Sequence, residues 1–213
     1  MKHDADPRPR PGRPANGATR DVRARLVEAA EERFTTHGFA ETSLRTIAEQ
    51  AGVNPALVSY HFGSKLGLLE AVFEGALEPL AQALQGIAAQ GRASPETLLD
   101  LLDRMGAEHP NLLPLLLREA LLPSGALHEV FIERFAPRLG GMFPALLANE
   151  QAAGALDENV DPQALSILIL AMGIFPHVAA PIARRVLGID LLEGGQARLS
   201  RQARQLITEG VKS

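Results

Sequence analysis

Apolar residues recur along this chain at helical spacing, and nowhere do they alternate as a half-buried strand requires. From Thr19 to His37, the residues Val22, Leu26, Ala29, Ala30 and Phe34 stand at i, i+4, i+7, i+8 and i+12, so they share one face. Gly38 then supplies a left-handed stop. Three later helices open on a capping side chain followed by proline: Asn54-Pro55, Ser94-Pro95 and Asp161-Pro162. Proline at the first helical position gives up only a donor that has no intrahelical partner, so each pair predicts a start. Further breaks fall at Pro110, at Pro123-Ser124-Gly125, over 149–160 and over 188–195. The pattern predicts about nine or ten helices and no repeat of fixed period.

The stretch from Thr42 to Lys65, TSLRTIAEQAGVNPALVSYHFGSK, carries more than a fold signal. A Thr or Ser cap opens a short helix whose Leu44, Ile47, Ala48 and Ala51 lie at i, i+3, i+4 and i+7. That leaves Arg45, Thr46, Glu49 and Gln50 outside. Gly52 allows the positive φ of a tight turn, Val53 plugs the core, and Asn54 caps a second short helix. On that helix Val58 and Phe62 point inward while Pro55, Ala56, Ser59 and Tyr60 form the opposite face. A helix, a tight turn and a helix with a short, polar, uncharged outer face suit insertion into a DNA major groove, where base edges are read. The same geometry also serves as a plain structural corner.

Composition narrows the class. The 213 residues include no cysteine and no tryptophan, which excludes a disulfide framework, a thiolate metal site and a cysteine nucleophile, and leaves a reducing cytoplasm as the expected compartment. Abundant Ala and Leu with few aromatics give an all-α expectation. The net charge of -4 hides a division. Through Lys65 the chain is net +2, and beyond it net -6, so a polyanionic partner is expected at the N-terminal end. The first 18 residues are polar and Pro-rich, lack a signal peptide's apolar run, and read as a disordered basic arm. Its Arg8, Arg10 and Arg13, with Arg20, either lie along a minor groove or stay solvated. The uncharged run from Ala164 to Ala183 is interrupted by Ser166, Pro176, His177 and Pro181, and reads as a helix buried in protein rather than a membrane span.

Phe-x-x-x-Gly at 34–38, then T-S-x-x-x-I-A-x-x-A-G-V from Thr42, then x-Y-x-F-x-x-K ending at Lys65 together resemble the TetR family of bacterial transcriptional regulators. The resemblance spans about Arg20 to Leu69. It implies an N-terminal three-helix bundle with a helix-turn-helix over 19–65, followed by a larger helical ligand-binding and dimerisation domain over 66–213. It places Thr42, Ser43 and Arg45 against phosphate and groove, and Ala56, Ser59, Tyr60 and His61 on or beside the recognition helix, although His61 also suits packing at the helix edge. Lys65 falls behind the Ser64 cap, where backbone donors and the helix dipole attract a phosphate. Pro55, where the family is often polar, and Ser59, where an aromatic is frequent, depart from the pattern and leave the operator sequence open.

Beyond Leu66 the chain carries more apolar surface than DNA binding needs. Met and Phe at helical spacing usually serve a core. The resemblance implies an effector cavity there, mostly apolar, with Met105, His109, Phe131 and Phe135 as candidate lining. Helix 161–175 is apolar on nearly all sides, and the last helix carries a stripe at Leu199, Ala203 and Leu206. Leu165, Leu168, Ile169 and Met172, with that stripe, are therefore expected to pair with their copies across a two-fold. Nucleotide-binding, hydrolase and zinc-protease motifs are absent, and the six histidines have no ligand spacing, so neither catalysis nor a metal or cofactor is expected. The reading is thus a ligand-responsive regulator, a repressor, that binds a palindromic double-stranded operator as a homodimer. The competing class is a helical ligand-binding or small-molecule-processing protein whose helix-turn-helix is structural only.

Overall fold

The computed structural model describes residues 16–211. Every element among them is helical: α1 (Asn16–His37), α2 (Leu44–Gln50), α3 (Ala56–Phe62), α4 (Lys65–Ala88), α5 (Pro95–Glu108), α6 (112–121), α7 (128–139), α8 (Phe143–Ala152), α9 (Pro162–Val178), α10 (180–187) and α11 (Gln196–Val211). Parts of α6, α7 and α10 are wound more widely, with π-type turns. Helix α1 begins at Asn16, so residues 16–18 of the expected arm are helical, while Arg8, Arg10 and Arg13 lie outside the described residues.

The starts follow from local chemistry. Ser43 Oγ accepts from Thr46 N–H at 3.1 Å, Ser64 Oγ from Gly67 N–H at 3.0 Å, and Ser94 Oγ from Thr97 N–H at 3.2 Å. Asp161 Oδ1 accepts from the N–H groups of Gln163 and Ala164. Each satisfies a donor that the helix itself leaves unpaired. Gly38 and Gly52 adopt φ of +88° and +66°, the left-handed conformation that ends α1 and turns α2 toward α3.

Helices α1 to α3 gather at one end. Helix α1 packs on α2, on α4 and on the start of α6, and α3 packs on α4. Helix α5 is the centre of the body, flanked by α9 and α11, and α9 lies also on α8. One hydrophobic core joins both parts, from Phe34, Ile47 and Val58 through Phe73 and Leu84 to Leu98, Leu112 and Phe143, all buried.

Helices α5 and α9 interlock at two glycines. Leu102 fills the space over Gly173, where an added Cβ would stand 2.6 Å from Leu102 Cβ. The His177 ring fills the space over Gly106, where it would stand 2.2 Å from Nε2. His177 is buried, and its Nε2 has no hydrogen-bond partner among the described residues. Burial lowers the imidazole's pKa, opposed by nearby Asp103. Burial likewise raises the Asp103 carboxyl's pKa, opposed by Ser200, Arg204 and His177, although Gln196 Nε2 donates to its Oδ1 at 3.0 Å.

The run from Ala164 to Ala183 forms most of α9 and the start of α10, which bend 60° from each other, and no single helix among the described residues is long and apolar enough to cross a membrane. The structure corrects the expected dimer face. Leu165 and Ile169 lie inside the protomer's own core, and further along the same helix Gly173 and His177 are packed on α5. Met172, Leu199 and Ala203 are half-buried. Leu168 and Leu206 are exposed as expected, and so are Ile167, Phe175, Ile182, Val186 and Leu187.

Candidate nucleic-acid interface

Helix α2 sits on α1 through its apolar stripe, with Ile47 and Ala48 buried. Polar ties fix its angle. Arg25 Nη1 donates to the carbonyl of Ala51 at 3.2 Å, and Arg33 donates to the Gln50 side chain. Helix α3 is anchored by Val58, which is buried, and by Phe62, whose ring has the Arg23 guanidinium 5.3 Å from its centroid. Asn54 Oδ1 accepts from Ala56 N–H at 2.9 Å and sets the direction in which α3 leaves the turn.

The outward face of α3 is Pro55, Ala56, Ser59 and Tyr60, all exposed. Tyr60 is 78% exposed, an unusual position for the chain's single tyrosine. Its ring and that of His61 lie nearly perpendicular with centroids 5.0 Å apart, and His61 itself is half-buried. Beside this face Ser43 is exposed at the start of α2, and Arg45 is exposed one residue into the helix, with its Nε donating to Glu49 Oε1 at 2.8 Å. Ser43, Arg45, Ala56, Ser59 and Tyr60 are therefore each accessible to a partner.

Two residues expected on that surface are turned inward. Thr42 is buried, and its hydroxyl donates to the carbonyls of Gly38 at 2.7 Å and Arg33 at 3.3 Å, closing the end of α1. Lys65 bends back from the start of α4. Its Nζ donates to the carbonyls of Phe39, Ala40 and Thr42 at 2.8, 3.1 and 2.9 Å and stands 4.6 Å from the Phe39 ring centroid. An ammonium has three donors, and all three are used here. The motif's spacing identifies these two side chains, but only the tertiary structure shows that they position the loop 38–43.

The four residues expected to line an effector cavity do not converge. Met105 borders a depression of about 250 Å³ between α4 and α5, together with Pro79, Leu80, Ala83 and Leu101. Phe135 stacks on Phe131, centroids 6.0 Å apart, and borders a void of about 10 Å³ on the other side of α4, space for one water. His109 borders neither, and faces α1 instead. No group of three or more His, Asp or Glu side chains among the described residues is placed to hold a metal ion.

The described residues form helices only, and their turn-linked pair with a polar, uncharged outer face is the arrangement found in helix-turn-helix DNA-binding regulators. Residues 26–72 match the family of bacterial regulatory proteins, tetR family. Over 48 residues the chain is 60% identical to the HTH-type transcriptional regulatory protein RaaS of Mycobacterium tuberculosis, a match that spans 22% of either protein. Over 180 residues it is 28% identical to the HTH-type transcriptional repressor Rv3405c of the same organism, covering 84% of this chain and 85% of that one. Its fold superposes on FadR from Bacillus subtilis, solved in complex with stearoyl-CoA, with a TM-score of 0.70 at 16% identity, covering 88% of this chain and 98% of that one. Over residues 26–72 the chain is similar to the TetR family of bacterial transcriptional regulators.

Proposed function

We propose that this protein is a cytoplasmic repressor that binds a near-palindromic operator as a homodimer and is released by a small, largely apolar effector. The observation that carries the DNA reading is Tyr60: a large aromatic side chain, 78% exposed, stands on a helix face whose other residues are exposed as well. Such a residue gains most from a partner that accepts its hydroxyl and stacks against its ring. In this reading Tyr60 and Ser43 hold phosphates, Ala56 and Ser59 face base edges, and Arg45 exchanges Glu49 for the DNA backbone. His61 lies at the margin, while Thr42 and Lys65 act by holding the loop that presents them.

The homodimer reading rests on the exposed apolar band of Ile167, Leu168 and Phe175 on α9, continued by Ile182, Val186 and Leu187 on α10, with Leu206 on α11. Monomers rarely leave so continuous a band in water. Half-sites for two-fold dimers of this kind lie about one helical turn, roughly 34 to 36 Å, apart. The effector reading is supported by the stearoyl-CoA complex of the Bacillus subtilis relative. In this chain α4 joins the head to the body and carries Pro79, which removes a helix hydrogen bond and permits a change of tilt. A ligand that favours one tilt changes DNA affinity by its differential affinity for the two, typically about 5- to 150-fold.

The test is selection of duplexes from a random pool, followed by titration of the best sequence over a range of salt. Enrichment of an inverted repeat, and affinity that falls linearly in log–log form with salt, support the reading. Failure to enrich any sequence, with no salt-dependent affinity for duplex DNA, overturns it.

A further inference from the structure

Helix α4 is not the only connection between the DNA-reading head and the body. Helix α1 also rests on the start of α6, and two side-chain contacts are concentrated there. Glu31 Oε1 on α1 lies 3.3 Å from Nδ1 of His109, both side chains being about one-third exposed. Seven residues further along, at the end of α1, the Arg118 guanidinium of α6 lies against Gly38, 3.8 Å from where a Cβ would stand. Arg118 is itself fixed to the body, with Nε donating to Glu119 Oε1 at 2.7 Å. A cation at a helix C-terminus is favoured by the helix dipole.

His109 is placed where helix movement is converted into side-chain movement. It ends α5 with non-helical φ and ψ of -130° and 60°, its N–H donates to the Met105 carbonyl at 2.9 Å, and its own carbonyl accepts from Leu112 N–H, the first residue of α6. A shift between α5 and α6 therefore swings the imidazole. Met105, one turn earlier, borders the α4–α5 depression, so anything seated there touches the turn that carries His109.

We infer that the His109–Glu31 contact, with Arg118 over the end of α1, is a second joint, parallel to α4, through which the body sets the orientation of the head. His109 and Glu31 are then positioning residues: they touch no DNA and act on it through α1. The inference rests on the reading of α2 and α3 as the DNA-binding surface, and in it the orientation held by this joint is the one that binds.

The joint is tested on the full chain with Glu31→Gln, His109→Phe and the double variant, by two independent readings. Because the chain has no cysteine, spin labels at Glu41→Cys on the head and Glu158→Cys on the body report the head-to-body distance in spin-diluted samples. Each single variant broadens or shifts that distance distribution while the thermal midpoint stays within about 2 °C. Affinity for the duplex recovered by selection falls about 3- to 10-fold, and the double variant is no weaker than the weaker single, since one contact is lost only once. Unchanged distances, or single effects that multiply in the double variant, overturn the joint. Distances that change while neither wild type nor variants bind duplex DNA uphold the joint and overturn the DNA reading instead.

Discussion

The Lys65 ammonium donates to the carbonyl of Thr42 at 2.9 Å, and Thr42 in turn donates its hydroxyl to the carbonyl of Gly38 at 2.7 Å. The start of α4 thereby holds the loop that leads from α1 into α2, across 23 residues of sequence. Both residues belong to the helix-turn-helix motif, and both are tied to the loop that leads into α2.

Replacing Lys65 by Met should therefore destabilise the head rather than remove a phosphate contact. Leaving three carbonyls without their donor costs about 1–3 kcal/mol. Affinity for all DNA sequences should fall together, with the salt dependence of binding unchanged. A shallower salt slope, by about one unit, in titrations of the variant would show that Lys65 reaches phosphate after all.

Tyr60→Phe and Ser59→Ala should leave stability within about 0.5 kcal/mol, because both side chains are exposed and pack on little. Their effects on DNA should differ. Loss of the phenol hydroxyl should weaken binding to every sequence by about 0.5–1.5 kcal/mol, whereas Ser59→Ala should relax preference at one base pair by about 1–3 kcal/mol. Binding measured against a panel of single-position operator variants separates the two.

On α9, neighbouring residues should give opposite results. Phe175→Glu, on a side chain 65% exposed, should yield a folded protein that sediments as a monomer at micromolar concentration. Ile169→Ala, at a fully buried position, should cost about 2–5 kcal/mol of stability and leave the assembly state of the folded fraction unchanged. A stable dimer of the Phe175→Glu variant would remove the α9–α10 band from the interface.

His177 gives the body a pH dependence with a definite sign. Its pKa is lowered below the ordinary 6.5 by burial, so the folded state binds fewer protons than the unfolded chain. Stability from this group is fully present above about pH 6.5 and is lost as pH falls through the lowered value. Asp103, raised above 3.8 by burial, has the opposite sign: its contribution is present below 3.8 and is lost as pH rises through its raised value. Melting temperature should thus fall between pH 7.5 and 5.5, by about 2–4 °C for each kcal/mol lost, and His177→Leu should flatten that fall. An equally steep fall in the variant would assign the dependence elsewhere.

By itself the sequence determined where helices begin and how the motif is built. Ser43, Asn54, Ser64, Ser94 and Asp161 cap as their side chains dictate, and Gly38 and Gly52 turn as a residue without a Cβ allows, since these are interactions within a few residues of chain. The outward face of α3 was legible for the same reason: helical period fixes which side Val58 and Tyr60 occupy once one of them is buried. What periodicity could not assign was the partner of each apolar face. Helix α9 is apolar nearly all round, and only packing decided that 165, 169, 173 and 177 turn inward while Leu168 and Phe175 face outward. His109 likewise is a cavity candidate only through what the family resemblance implies. The fold brings it to Glu31, 78 positions away, because contacts at that separation depend on how whole helices cross, and no local pattern encodes a crossing.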